Sequence, residues 1–146
     1  VRDGSNFFLN IEDLKKENIL PNEIFMIAKK HLLNVEGIGA VISKAEIIES
    51  EKSDKITRRI KNMIHKIKSP EIFVIQKERY LYRSPYGTSH GTPYDYDTHV
   101  PLIFAHKKYK KHINQVKVET VDIAPSIANY LGISIPEYCD GKALSF

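Results

Sequence analysis

The chain has 146 residues, of which 42% are hydrophobic and 27% charged, and this composition fits one folded domain with a buried core. The formal net charge of +4 is small and the basic residues are scattered, so we expect no nucleic-acid partner. The single cysteine, Cys139, excludes an intrachain disulfide, and no apolar run approaches the roughly 20 residues of a membrane span.

The first forty residues alternate between strand and helix patterns. Residues 6–10 are a short apolar run that predicts a strand, and the charged residues 11–18 predict a helical turn. Residues 23–33 predict an amphipathic helix opened by the Pro21-Asn22 pair, with His31 partly buried beside its apolar stripe. That stripe consists of Ile24, Phe25, Ala28 and Leu32. After the Gly-Ile-Gly break, residues 40–43 predict a strand.

A second amphipathic helix is predicted after Ser53, which is a favourable N-cap residue. Its apolar stripe consists of Ile56, Ile60, Met63, Ile64 and Ile67. The opposite face is basic, and His65 is expected to be exposed on it. Because no aromatic residues interleave with the basic ones, this face is typical of a solvated surface and not of a nucleic-acid interface.

Strands dominate the predictions for the middle of the chain. Residues 71–76 and 79–83 have the pattern of a β-hairpin that leads into a polar loop. Residues 100–105 (Val-Pro-Leu-Ile-Phe-Ala) are apolar on both alternations, which predicts a strand buried on both faces of a sheet. The lysine-rich residues 107–112 predict a solvated loop.

A last helix is predicted from Asp122, which can cap it, to Gly132, which can end it. Its inward-facing residues are expected to be Ile123, Ile127, Tyr130 and Leu131. The order of elements predicts an α/β fold in which at least three helices flank a mixed sheet. We expect residues 1–146 to form a single domain.

The loop at residues 87–101 concentrates the polar side chains that could carry chemistry. It contains His90 between small residues, and then Asp95, Asp97 and His99. Small residues on both sides of His90 allow a tight turn and leave its imidazole open to a ligand, as a metal ligand or an acid/base group requires. From residue types alone, an ordinary surface turn is an equally good interpretation.

The same loop carries a family resemblance. The run Gly-Thr-Ser-His-Gly at 87–91, Tyr-Asp-Thr-His-Val-Pro-Leu-Ile-Phe at 96–104, Val-Asp-Ile-Ala-Pro-Ser at 121–126 and Asp-Gly-Lys at 140–142 resemble the carboxy-terminal end of the alkaline phosphatase superfamily. Within it, the sequence is most similar to bacterial alkaline phosphatases of the type I phosphodiesterase/nucleotide pyrophosphatase kind. A looser likeness extends back to residue 7.

This resemblance implies an alkaline-phosphatase-like fold, a phosphate ester substrate, hydrolysis assisted by two zinc ions, and a periplasmic or extracytoplasmic location. In the family, the histidine of the Gly-Thr-x-His-Gly loop is the last ligand of one zinc ion, which implies that His90 is a zinc ligand. Asp95, Asp97 and His99 are then expected to be structural groups that position the loop.

The sequence also departs from the family pattern. It contains no Asp-His dipeptide and no threonine or serine in the family's nucleophile context, so most metal ligands and the nucleophile are missing. We therefore expect the chain to be the carboxy-terminal fragment of a larger hydrolase domain and to be inactive alone. The alternatives are a non-catalytic module that binds an anion or a partner through nearby lysines, or a decayed relative.

Overall fold

The computed structural model describes residues 2–3, 6–51, 54–81, 90–108 and 110–145. The chain divides into two compact units, residues 1–101 and residues 102–146. The expectation of a single domain stays a prediction.

The first unit contains a four-stranded sheet in the order β1-β2-β4-β3. The strands are β1 (Arg2–Asp3), β2 (Asn6–Phe7), β3 (Ile38–Ser43) and β4 (Ile72–Gln76). Each of the recorded pairs is antiparallel, with Phe7 opposite Ile72 and Val41 opposite Val74. The strands predicted at 40–43 and 71–76 are confirmed, although β3 begins earlier, and the strand predicted at 6–10 is limited to its first two residues.

Six α-helices are present in the described residues, and the α/β class is confirmed. They are α1 (Ile11–Lys16), α2 (Pro21–Leu32), α3 (Lys44–Glu49), α4 (Lys55–Met63), α5 (Asp95–Thr98) and α6 (Ile123–Leu131). Helix α3 was not predicted. It follows β3 without a loop because Ser43 and Glu46 form a capping box, in which each side chain accepts from the other residue's backbone N–H.

The core of the first unit consists of two hydrophobic clusters that share β4. The first contains Phe25, Ile38, Val41 and Ile72, and the second contains Ile47, Ile60, Phe73 and Ile75. Because neighbouring residues of a strand point to opposite faces, Ile72 and Phe73 enter different clusters. Helix α2 therefore covers one face of the sheet, while α3 and α4 cover the other.

A polar contact fixes the start of β4 to both of its neighbours. The Glu71 carboxylate accepts hydrogen bonds from the Lys44 ammonium at 2.7 Å and from the Leu9 N–H at 2.9 Å. The backbone of Glu71 also pairs with Lys44 and Phe7. Since the Lys44 and Glu71 side chains are largely buried, this ion pair holds the strand register more firmly than an exposed pair would.

Two strand predictions are wrong within the described residues. Residues 79–81 form no strand, because Arg79 adopts a positive φ of 62° that turns the chain, while residues 82–83 lie outside the described residues. Residues 100–105 also form no strand, and Val100 and Ile103 are exposed. A strand of this composition needs neighbours on both faces, and the described part of the chain does not supply them.

Helix α4 is shorter than predicted. Its cap is Asp54, whose carboxylate accepts from the N–H groups of Ile56 and Thr57, whereas Ser53 lies outside the described residues. Ile60 is buried as predicted. The helix ends at Met63. Of the later part of the predicted stripe, Ile64 packs half-buried against the second cluster, whereas Met63 and Ile67 are exposed.

Of the two predictions about histidine exposure, the one for His31 is wrong and the one for His65 is confirmed. His31 was expected to be partly buried but is exposed, because the buried stripe of α2 is centred on Phe25. His65 is exposed as predicted, and its Nδ1 accepts from the N–H groups of Ile67 and Lys68.

In the second unit, Asp122 has a different role from the predicted one. Its buried carboxylate does not cap α6 but accepts from the N–H groups of Glu119 at 2.9 Å and Lys142 at 3.0 Å. Gly141 passes so close to the Val121 carbonyl that a Cβ atom there would lie 2.0 Å from the oxygen. Residues 140–144 are thereby held against the start of α6, where the Leu144 N–H also donates to Ser126 Oγ.

The predicted inward face of α6 is also wrong in part. Ile127, Tyr130 and Leu131 are exposed, and the buried residues at the start of this helix are Pro125 and Ser126. Gly132 ends the helix with a positive φ of 67°, as predicted. Among the described residues, no helix has the length and apolar character needed to cross a membrane.

Ile47 provides a test of the core. Replacing Ile47, which is fully buried between the sheet and α4, by alanine should lower the free energy of unfolding by about 2–5 kcal/mol because a cavity remains. The matched control is Ile48→Ala, since Ile48 is the exposed neighbour on the same helix and should change stability by less than about 1 kcal/mol. Urea unfolding of both variants measures the difference, and equal losses would contradict the assigned core.

Candidate functional site

His90 lies in an exposed loop, two residues before a partly buried threonine. Gly91 follows it with φ of +106°, a conformation that a side chain would strain, and among the described residues no atom beyond its chain neighbours lies within 4 Å of the place where a Cβ would be. We call residues 90–92, whose backbone conformation depends on this glycine, the turn after His90.

The Asp97 carboxylate holds this turn. It accepts a hydrogen bond from the Thr92 N–H at 2.6 Å. This bond stabilises the charged carboxylate and lowers the pKa of Asp97, with a smaller contribution from His90. The sequence prediction placed Asp97 near His90, and the structure brings the two together through the backbone of the turn.

Asp95 joins the loop to helix α4. Its carboxylate accepts from the Lys55 ammonium at 2.7 Å and from the Arg59 guanidinium at 2.8 Å. Arg59 also donates to the Pro93 carbonyl at 2.6 Å, so one guanidinium binds both ends of the short connection before α5. The hydrogen bonds from Lys55 and then Arg59 lower the pKa of Asp95.

Two tyrosines fasten the same segment to the end of β4. The Tyr94 hydroxyl donates to the Gln76 carbonyl at 2.6 Å, and burial raises its pKa. The Tyr96 hydroxyl accepts from the Arg79 N–H at 3.2 Å, and the two rings stack with centroids 5.9 Å apart. Sequence reasoning missed both tyrosines, and the signal that could have found them is the Tyr-Asp-Tyr-Asp alternation.

His99 follows α5 as its C-cap residue, with its N–H donating to the Asp95 carbonyl at 3.0 Å and its side chain exposed. A positioning role for its imidazole stays a prediction. In the part of the chain that the structure describes, no three His, Cys, Asp or Glu side chains are grouped as a metal site. Among those residues, His90 is therefore an exposed single donor.

A cleft of about 330 Å³ lies beside Tyr94, between the sheet and the start of α4. It is lined by Gly39, Ala40, Ile42, Asp54, Ile56, Thr57, Ile75, Lys77, Glu78 and Tyr94. Tyr94 of the His90 loop is in this lining, whereas His90 itself is not.

The fold is that of an alkaline-phosphatase-like α/β protein. A crystal structure of the alkaline phosphatase PafA matches 99% of this chain with a TM-score of 0.84 and 26% sequence identity, and the match covers 28% of that chain. No family model matches the sequence.

Curated proteins give the same result. Over 72% of this chain, the sequence is 33% identical to alkaline phosphatase PafA of Elizabethkingia meningoseptica. Over 84% of this chain, it is 30% identical to alkaline phosphatase PhoD of Zymomonas mobilis. A protein of Myroides odoratus named calcium-transporting ATPase is 30% identical over 88%. The chain spans only 19–24% of these three relatives. It belongs to the alkaline phosphatase superfamily, a family of phosphoester hydrolases.

The Asp97 contacts can be tested by hydrogen exchange. Asp97→Asn should speed exchange of the Thr92 amide, because a neutral amide oxygen is a weaker acceptor than the carboxylate. Since the pKa of Asp97 is lowered by folding, the protection should be present above the ordinary pKa of an aspartate and be lost as the pH falls through the lowered value.

Asp95→Asn is the matched control for this measurement. It makes the same chemical change two residues away, weakens the contacts with Lys55 and Arg59, and should leave the Thr92 amide protected. Equal exchange of that amide in both variants would show that Asp97 does not hold the turn.

Proposed function

We propose that this chain forms part of the active site of a zinc-dependent phosphoester hydrolase and that His90 is a ligand of one of its two zinc ions. The observation that supports this most is the turn after His90, where Asp97 fixes the backbone while the imidazole stays exposed. Membership of the alkaline phosphatase superfamily supplies the reaction class, and the substrate we propose is a phosphate ester.

The chemistry of His90 suits such a site. Neutral imidazole is a preferred zinc ligand, and a catalytic zinc ion takes about three protein ligands. His90 would provide one of them, and the others would come from outside the described residues. When bound, a pair of zinc ions lowers the pKa of an attacking hydroxyl group and stabilises the leaving oxygen.

The surrounding residues would position this ligand. Asp97 restricts the turn that carries His90, and Asp95 fixes the following helix to Lys55 and Arg59 on α4. A ligand whose backbone is restrained before the metal binds loses less conformational freedom on binding. We assign positioning roles to Asp95, Asp97 and His99. The proposed location is periplasmic or extracytoplasmic, as the family resemblance implies.

His90→Ala tests the ligand role in a polypeptide that carries this chain together with the remaining ligands. Mutating a residue that only hydrogen-bonds to a metal ligand lowers metal affinity or activity roughly 10- to 100-fold. Loss of a ligand itself should lower zinc affinity and phosphoesterase rate by at least this much. His31→Ala, which removes an exposed histidine from α2, is the control and should change neither value. Unchanged zinc content and turnover in His90→Ala would rule the ligand role out.

The chain alone should not catalyse. One imidazole cannot hold a zinc ion at useful affinity, because zinc sites use about three or four protein ligands. Incubated with zinc and a chromogenic phosphate ester, the purified chain should show neither stoichiometric zinc nor hydrolysis above buffer. Tight binding of two equivalents with turnover would prove this wrong. The ligands would then be sought among Asp95, Asp97, His99, His106, His112 and Asp122.

A further inference from the structure

Helix α5 is a single turn of four residues, and its Asp97 carboxylate restrains the turn after His90. Isolated helices shorter than about 12 residues are marginal in water, so α5 depends on contacts outside its own sequence. Its N-terminal end has such contacts, since Asp95 is the first residue of α5 and Tyr94 precedes it. The Tyr94 ring is partly buried and packs against the second hydrophobic cluster. The position of Asp97 therefore depends on how this end of α5 is attached.

Arg59 binds the residues on both sides of Tyr94. One guanidinium nitrogen donates to the Pro93 carbonyl at 2.6 Å, and the other donates to the Asp95 carboxylate at 2.8 Å. A planar guanidinium holds its N–H donors in a fixed geometry, whereas an ammonium acts as a point charge on a flexible stem. The two bonds from Arg59 thus fix both the position and the direction in which the chain enters α5.

Lys55 also binds Asp95, but it is the weaker of the two attachments. The Lys55 side chain is 56% exposed, against 28% for Arg59. An exposed ion pair contributes little, because water screens the charges and both side chains lose freedom. Arg59 is also the neighbour of Ile60, which is buried in the second hydrophobic cluster. Arg59 is therefore the polar contact that ties the start of α5 most directly to the core.

We propose that Arg59 is a positioning residue for the candidate zinc ligand His90. It fixes the start of α5, and α5 places the Asp97 carboxylate where it accepts from the backbone of the turn after His90. This inference rests on the proposed function, although the restraint of the turn is a property of the chain itself. Partners that orient a metal ligand raise its affinity for the metal, so loss of the Arg59 contacts weakens zinc binding without removing a ligand.

The restraint is tested in the purified chain by hydrogen exchange. Arg59→Lys keeps the positive charge but loses the fixed pair of donors. The Thr92 and His99 amides, whose hydrogen bonds hold the turn and α5, should then exchange at least about fivefold faster. Arg58→Lys makes the same change at the exposed neighbouring residue and should leave both amides as in the wild type. Wild-type exchange of both amides in Arg59→Lys would overturn the proposal.

The consequence for the metal is tested in a polypeptide that carries this chain together with the remaining ligands. Arg59→Lys should lower zinc affinity roughly 10-fold. Lys61→Ala is the control for a general loss of stability, because the Lys61 ammonium donates to the carbonyls of Ile48 and Ser50. It removes two contacts of α4 that do not involve the His90 loop, and zinc affinity should stay unchanged. An equal loss in both variants, or no loss in Arg59→Lys, would prove the positioning role wrong.

His90→Ala distinguishes this inference from the proposed function on which it rests. If His90→Ala leaves zinc affinity unchanged, the ligand role is wrong and the positioning role fails with it. If His90→Ala loses zinc while Arg59→Lys keeps wild-type exchange and affinity, the ligand role stands and the role of Arg59 is wrong. Loss of zinc in both, with faster exchange in Arg59→Lys alone, supports both proposals.

Discussion

The burial of β4 on both faces is the constraint on which the first unit depends. Ile72 packs beneath α2, while Phe73 and Ile75 pack beneath α3 and α4, so one strand of five residues contributes to both hydrophobic clusters. Burial of large apolar side chains contributes most of the favourable free energy of folding. A change in the register of β4 would exchange its two faces and disrupt both clusters together. The buried contact between Glu71 and Lys44 opposes such a slip.

The candidate site is attached to this framework by polar contacts. Tyr94 binds the end of β4, and Asp95 binds α4, whose own position is set by Ile60 in the core. The loop is thus attached to β4 and to α4, which both contribute to the core. Within the loop, the hydrogen bond between Asp97 and the Thr92 N–H restrains the turn after His90. Packing positions the framework and charge-assisted hydrogen bonds position the loop, which is how a rigid scaffold commonly presents a site on a loop.

Sequence reasoning succeeded where the determining interactions are local. The stripe of α2, the strand at β4 and the glycine that ends α6 depend on periodicity or on one residue's conformation, and each was predicted. Helix α3 was missed although its capping box, Ser43 and Glu46, is visible in the sequence. A segment of six residues is too short for its apolar periodicity alone to indicate a helix.

The remaining misses concern contacts with distant residues. The segment at 100–105 has the composition of an interior strand, but composition does not show whether other strands of the described residues lie beside it. At the candidate site, a short motif led to the prediction of His90, whereas Lys55 and Arg59 were not predicted, because they meet Asp95 across 40 and 36 positions of sequence. Pairings of this kind depend on the finished fold and leave no periodic signal.

The pairing of β3 with β4 also determines the order in which parts of the first unit can fold. Ser43 pairs with Ile72 and Ile38 with Gln76, so each rung of this ladder closes a loop of roughly thirty residues or more. Helices α3 and α4 lie within that loop and are stabilised by local caps, so they can form transiently before it closes. Their apolar faces become buried only when β4 pairs with β3. Closure of this long loop, and not helix formation, is therefore the slow step expected from the topology.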